Sequence, residues 1–306
     1  MPHTLKQKLF LKLGQKVSSI QRNYPYPIKK KILNFSPISI PKSEKRMLAV
    51  FITHKQIYEG LWAAWSWMRF LNRYGFALSI FIDGEVTPKI AQTYEQLLPG
   101  CQVISGPKYL SSCDLPEDFK AYGLQHRFGR IHTIRLELQK KYELLYSDSD
   151  ILVFQKPREI LERLETDHKP LFNSDSLSPI DDPWVVEKLQ KHGLGLMPLF
   201  NAGLLYIPQG SLDAELGYEI LKGWSKIPKE SRGHHTGQTL FNALMKQADA
   251  EPLPPTRYLC NNEGMWFWKK DYTNYNQIVT RHFVGNVRHQ MYIRGMPYLY
   301  NQVKNQ

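Results

Sequence analysis

The chain is poor in cysteine and lacks any long apolar run. Its three cysteines, Cys101, Cys113 and Cys260, are odd in number and stand at no metal-ligand spacing. That argues against a disulfide framework or a zinc site and for reduced thiols. No stretch approaches the roughly eighteen apolar residues that a membrane span needs; the nearest, IYEGLWAAWSWMRFL, carries Glu59 and Arg69 and has helical spacing. The first residues hold lysines but no continuous apolar core before a small-residue site, so a signal peptide is not expected and a cytoplasmic location is. No glycine-rich phosphate loop follows the first predicted strand, which disfavours a nucleotidyltransferase. No internal repeat or low-complexity segment is visible.

What is present starts with charge. Residues 1–46 carry eleven Lys and Arg against one acid, Glu44, so ten of the twelve net positive charges lie there and the other 260 residues are nearly neutral. A basic arm on a neutral body, with no base-reading motif, does not point to nucleic acid. Within the arm, LKQKLFLKLGQKVSSIQ sets Leu5, Leu9, Phe10, Leu13 and Val17 near helical spacing with lysines between them. Such a helix suits an anionic membrane surface, each lysine contributing on the order of 1 kcal/mol. A solvated tail, or a helix packed on its own domain, fits the pattern equally well. Pro25, Pro27, Pro37 and Pro41 then separate the arm from the body, and SPISIPKSEKR has the composition of a linker. The expected division is residues 1–46, arm and linker, and residues 47–306, one domain.

From Met47 the pattern becomes regular, and the apolar fraction of 42% supplies an ample core. MLAVFIT, FALSIFIDG and CQVISG read as strands. The stretches between them, IYEGLWAAWSWMRFLNRYG (stopped by Gly75) and VTPKIAQTYEQLLPG, read as helices. Residues 106–121 read as irregular, HTIRLELQKKY as a helix and ELLY as a strand. Strands alternating with helices predict an α/β fold with a mostly parallel sheet covered on both faces. In that architecture ligands bind beyond the carboxyl ends of the strands. The second half is less regular: PREILERL, SLDAELGYEILKGWSK and GQTLFNALMKQA read as helices, PLFNSD and LFNAGLLYIP as strands.

YELLYSDSDILVF places Asp148 and Asp150 at the carboxyl end of a predicted strand, with an apolar run following at once. Ser-Asp-Ser-Asp is a common polar turn or helix cap. A chain that re-enters the core directly fits a bound cation better, and two carboxylates at i and i+2 suit Mg²⁺ or Mn²⁺. A phosphatase of the haloacid dehalogenase type, with Asp148 as nucleophile, also uses Asp-x-Asp. There the motif lies on the first strand with Thr or Val two residues after the second Asp, whereas here three strands precede it and that position is Leu152.

The same segment resembles the Asp-x-Asp signature of the GT-A glycosyltransferases, a Rossmann-like nucleotide-diphospho-sugar transferase fold. Other segments resemble family 8 of those enzymes in order and spacing. In FITHKQIYEG the resemblance implies nucleotide contacts from Thr53 and Tyr58. In LFNAGLLYIP it implies that Asn201 reaches the sugar or diphosphate and that Gly203 allows close backbone approach. RHFVGNVRHQMY resembles the family's His-(Phe/Tyr)-x-Gly-x-x-Lys-Pro-Trp. By that match His282 is the third metal ligand beside Asp148 and Asp150, Ser149 and Gly285 lie against the nucleotide, and Arg288 replaces the lysine while keeping a phosphate grip. The usual Pro-Trp is missing, and His289-Gln290 stands there. HHTGQTLFNAL has Gly237 where the family often has Asp, with Gln238 matching a sugar contact; Asp175 is a candidate for the missing carboxylate.

The resemblance covers residues 47 to 290. It implies a metal-dependent, retaining transfer of a hexose from a UDP-linked donor to a saccharide or lipid-linked acceptor, with Mn²⁺ or Mg²⁺ as cofactor. Arg130, His132 or Arg135 would add a further positive contact, and Asp175, Asn201 and Gln238 would orient the oxocarbenium-like centre. WFWKKDYTNY and MYIRGMPYLY offer aromatic faces for sugar stacking or for core packing. A non-catalytic nucleotide-sugar-binding protein of the same fold is the alternative, supported by the missing Pro-Trp and by Gly237.

Overall fold

The computed structural model describes residues 24–166, 169–176, 181–228, 235–264 and 271–305. Its strands run in the order β1 (Arg46–Ile52), β2 (Phe76–Ile82), β3 (Gln102–Ser105), β4 (Glu143–Asp148), β5 (Ile151–Val153), β6 (Leu171–Ser174), β7 (Phe200–Ile207), β8 (Glu251–Pro252), β9 (Tyr258–Cys260) and β10 (Thr280–His282). Among the described residues they form a seven-stranded sheet, β3-β2-β1-β4-β7-β6-β8, and a three-stranded one, β5-β10-β9. β1 pairs in parallel with both β2 and β4, and β2 with β3. β7 is antiparallel to β4 and β6, so the large sheet is parallel through its first half and mixed beyond β4. The switch between β1 and β4 is where an open α/β sheet leaves a crevice at its strand ends, and the register Phe51↔Asp148 sets Asp148 on its edge.

Both faces are covered because strands buried on two sides need helices over each. On one face lies α1 (Ile57–Leu71), whose Trp62, Trp67 and Met68 are wholly buried. Trp67 spends its single donor on Ser147 Oγ at 2.9 Å, one residue before Asp148. α2 (Pro88–Leu97) joins that face, its first turn capped by Thr87. Residues expected to be irregular form α3 (Gly106–Ser112) and α4 (Glu117–Gln125). Ser105 caps α3 and Pro107 pre-sets its first turn, signals that the polar composition of the stretch obscured. The opposite face holds α5 (Arg127–Gln139) and, after α6 (Arg158–Thr166), α7 (Pro183–Lys191) and α8 (Ala214–Ile220), also α9 (Thr236–Gln247). The last helix, α10 (Met296–Lys304), returns to the first face.

The proline-containing stretch before β1, including part of the segment with a linker's composition, is packed. Ile32, Phe35 and Ile40 are buried in the core of the first face. Phe35 lies against Trp62, Trp65 and Tyr300, while Trp62 and Trp65 donate to the carbonyls of Lys29 and Ser36. Prolines there fix an irregular backbone, and the isoleucines and phenylalanine between them cover the indoles of α1. The amphipathic stretch within residues 1–23 lies outside the described residues. In MYIRGMPYLY, Tyr292, Met296 and Leu299 are buried, so that cluster is chiefly core; of WFWKKDYTNY, residues 266–270 lie outside the described residues. No helix among the described residues is long and apolar enough to cross a membrane.

Candidate active site

Beyond the end of β4 the chain turns through Ser149 and Asp150 and leaves the large sheet for the small one. β5 pairs antiparallel with β10 in the register Ile151↔His282, and Phe283 N donates to Asp150 O at 2.8 Å. That register carries His282 to the aspartates from 132 residues away in sequence. β7, paired with β4 through Ser147↔Leu204, brings Gly203 alongside. Ligand atoms of Asp148, Asp150 and His282 lie within 4.8 Å of one another. His282 Nε2 is 3.6 Å from Asp148 Oδ2 and 3.3 Å from Asp150 Oδ1.

Hydrogen bonds behind the triad fix which way it points. Asn201 Nδ2 donates to Asp175 Oδ2 at 3.0 Å, and Asn201 Oδ1 accepts from Gly203 N at 2.9 Å, so the Oδ1 that lies 3.2 Å from His282 Nδ1 is an acceptor. His282 therefore carries its Nδ1 hydrogen toward Asn201 and turns Nε2 to the carboxylates, the arrangement that orients histidine ligands generally. Cys260, opposite His282 in the β9–β10 pairing, sets its Sγ 3.8 Å from the same nitrogen. Tyr146 donates to Asp148 Oδ1 at 2.5 Å.

Charge in the site is finely matched. Burial would raise the carboxyl of Asp150, but the guanidinium of Arg288 and the imidazole of His282 outweigh it and hold Asp150 well below the usual carboxylate range. For His282 burial opposes the cation, yet Asp150 and Cys260 push it well above its ordinary value. Asp148, half-exposed at the cleft edge, is raised by desolvation and by its neighbour Asp150. Arg288 forms an ion pair with Asp150 Oδ2, and its Nε is buried with no partner among the described residues.

Two carboxylates and one imidazole form a donor set for a divalent cation. The fit is tested at Gly203, where a Cβ would lie 2.8 Å from Asp148 Oδ2 and 2.3 Å from His282 Cε1. Only glycine lets both of these side chains come so close to the β7 backbone and to each other.

The triad opens into a cleft of about 540 Å³ lined by residues of α5, β7, the start of α9 and the segment 284–288. Of the residues expected from sequence, Arg135, Asp148, Asp150, Asn201, Gly203, Gln238, His282, Gly285 and Arg288 line it, as does His132. Thr53, Tyr58, Arg130, Ser149 and Asp175 do not. Thr53 donates to Gln56 Oε1 at 2.9 Å, and Tyr58 packs on the core of the first face. Arg130 pairs with Asp83 and donates to Leu124 O at 2.7 Å. Ser149 is buried in the turn, and Asp175 sits behind Asn201. Arg127 lines the cleft where Arg130 does not, and its Nε lies 3.5 Å from Asp83 Oδ2. Tyr146 was legible in principle, because residues two apart on a strand share a face. Arg127, His235 and Cys260 left no such signal.

The start of α9, which contributes Gln238 to the cleft, is held by Asp182. Its carboxylate caps α7 through the backbone N of Trp184 and Val185 and accepts from Thr236 Oγ1, while its own N donates to Thr239 Oγ1 at 2.9 Å. That fixes the start of α9, where Gln238 donates to Phe200 O at 3.3 Å.

Similarity to solved structures agrees with this architecture. The chain superposes on the WbbM bifunctional glycosyltransferase with a TM-score of 0.52 at 12% identity, covering 88% of this chain and 53% of that one. It superposes on the galactosyltransferase LgtC, solved with donor and acceptor sugar analogs, with a TM-score of 0.51 at 16% identity, covering 84% and 95%. An active-site mutant of LgtC gives 0.50 at 14% identity, covering 78% and 87%. No protein-family model matches the sequence, and no curated protein does. The protein has the GT-A glycosyltransferase fold, with an Asp-Asp-His cluster at the strand ends where that sheet leaves its crevice.

Proposed function

We propose that the protein is a metal-dependent glycosyltransferase that moves a hexose-class unit from a UDP-linked donor to a saccharide or lipid-linked acceptor, with residues 47–306 as the transferase domain. The observation that carries this is the convergence of Asp148, Asp150 and an Asn201-oriented His282 within 4.8 Å of one another, beside a Gly203 whose missing Cβ permits their close approach. Those three side chains would hold Mn²⁺ or Mg²⁺, which when bound neutralises a departing diphosphate as a Lewis acid. Arg288, with an unpartnered Nε, supplies a guanidinium to phosphate oxygens at the same edge. Gly285, whose Cβ position has nothing within 4 Å, lets backbone approach the ligand. Gln238 uses its amide nitrogen on Phe200 O, which leaves Oε1 to face the anomeric carbon as positive charge develops there. Asn201 acts through His282. Asp175 acts through Asn201. Retention of configuration follows the family resemblance, and the neighbour named as a galactosyltransferase, solved with donor and acceptor sugar analogs, supports a sugar donor. The basic stretch 1–46 would hold the enzyme on the inner face of an anionic membrane, near a lipid-linked acceptor.

Calorimetric titration of UDP-sugars with Mn²⁺, and again after chelation, tests this on the wild type, with Asp150→Ala alongside. Binding that needs the metal and is lost in the variant is the expected result. Binding that is absent, or indifferent to chelation, would overturn the metal-clamp reading and favour the non-catalytic alternative.

A further inference from the structure

The cleft lining between α5 and the start of α9 presents a residue whose chemistry bears on the transferred sugar. A side chain at position 237 is sterically excluded, since a Cβ there would lie 1.8 Å from His132 Cδ2 and 2.4 Å from both Cγ and Nε2. The imidazole of His132 fills the space at Gly237 on α9 and lines the cleft, as does Gln238. Its Nδ1 is hydrogen-bonded to Arg135 Nη2. A guanidinium only donates, so Nδ1 bears no hydrogen and the neutral ring carries it on Nε2. Desolvation first, then the charge of Arg135, holds His132 well below its ordinary pKa, so the ring is neutral at physiological pH.

Arg135 cannot turn into the cleft in its place. It is 1% exposed, sandwiched with its Cζ 4.3 Å from the Tyr146 ring and 4.5 Å from the Phe241 ring, and Nη1 donates to Ala202 O at 2.5 Å. Its charge acts on Asp148 and, through Nδ1 of His132, polarises the Nε2–H of that ring. Among the described residues the acids lining the cleft are Asp148 and Asp150, both on the triad side. The part of the lining made by His132 and Gln238 therefore offers a hydrogen-bond donor with a buried cation behind it, and among the described residues no carboxylate of its own. A sugar hydroxyl both donates and accepts and is bound best by a wall that offers both; a carboxylate only accepts. In a site partly sheltered from water, a charge-assisted bond to a carboxylate is the stronger of the two.

We propose that the His132–Arg135 pair, seated on Gly237, is a specificity-determining element that selects a donor whose transferred sugar is a hexuronate over its neutral hexose counterpart. The proposal rests on the nucleotide-sugar reading above.

The test is calorimetry on the full chain with Mn²⁺, comparing UDP, UDP-glucose with UDP-glucuronate, and UDP-galactose with UDP-galacturonate. A uronate donor is expected to bind about tenfold tighter than its neutral partner, the size of one charge-assisted hydrogen bond. His132→Ala should remove most of that ratio. In the double variant His132→Ala/Gly237→Asp, an acid enters the space the ring vacated, and the ratio should invert. Each readout compares two donors on one preparation, so loss of folded protein does not imitate it. UDP binding with a ratio near one in the wild type, or a uronate preference unchanged in both variants, overturns the proposal and leaves the transferase reading standing. Failure of UDP and of every UDP-sugar to bind overturns both.

Discussion

Gly203 lines the cleft and Gly237 stands next to Gln238, which also lines it, and at both a histidine ring takes the space of the missing Cβ, with different consequences. At Gly203 the missing Cβ lets Asp148 and the ring of His282 both close on the β7 backbone, side by side. At Gly237 the room is already filled by the ring of His132, backed by Arg135. The first glycine lets two candidate metal ligands converge, and the second seats a histidine that is no ligand of that cluster. Around the first, charged groups are matched pair by pair. Around the second, a histidine is kept neutral by burial and by the cation behind it. Glycine in a sequence says that space is needed, and the tertiary structure says by whom.

Gly203→Ala should break the first half of that comparison most severely. Metal-dependent donor binding is expected to fall by about 100-fold or more, the upper end of what disturbing a metal site costs, as read by calorimetry with Mn²⁺. Full binding would mean that the close approach of Asp148 and His282 at Gly203 serves no metal.

Gly237→Ala should instead cost stability, about 1–3 kcal/mol by overpacking, measured by urea denaturation. His132→Ala in the same chain should return much of that loss, because it empties the seat. Additive losses would show that the two positions are not coupled.

Asn201→Ala tests orientation. With the Nδ1 partner of His282 gone, Mn²⁺ affinity is expected to drop about tenfold while nucleotide binding without metal changes little.

Acidification separates the two histidines. The folded pKa of His132 is depressed, so as pH falls below about 6.5 the unfolded chain takes up a proton that the folded one refuses. Stability should drop by about 1 kcal/mol by pH 5.5 from this group, a loss absent in His132→Asn. His282 is raised in the metal-free protein, so with chelator present its contribution runs the other way: complete below about 6.5 and lost as pH rises through its folded value. Equal pH profiles for the wild type and His132→Asn would remove the claim that this ring is held neutral.

The smallest effect belongs to the arginines of α5. Arg127→Ala is expected to weaken nucleotide-sugar binding about threefold, the scale of a half-exposed ion pair. Arg130→Ala should act on stability through Asp83 and leave donor binding nearly unchanged.

Much of this was legible along the chain, for identifiable reasons. Strands and helices of the first half announce themselves through apolar periodicity and capping residues, and Asp148 and Asp150 are conspicuous because acids interrupt a buried strand. His282, Asn201 and Gly203 were reachable through the order of short motifs that resemble a known family. The helices at 106–125 were hidden because their polar residues resemble a loop, and the packing of Ile32 and Phe35 because prolines around them resemble a linker. Arg127 and Arg130, three residues apart on one helix, are equivalent in composition and charge; the direction each takes from α5 separates them.

The sequence by itself determined the alternation of elements, and with it the parallel half of the sheet and the strand end that carries the aspartates, because periodicity and propensity are local. Only the tertiary structure decided that Cys260 and Asn201 flank one nitrogen of His282, that Arg288 pairs with Asp150, and that His132 occupies the face of Gly237. Those relations join residues tens to more than a hundred positions apart through strand register and helix packing, and no local pattern encodes the distance between them.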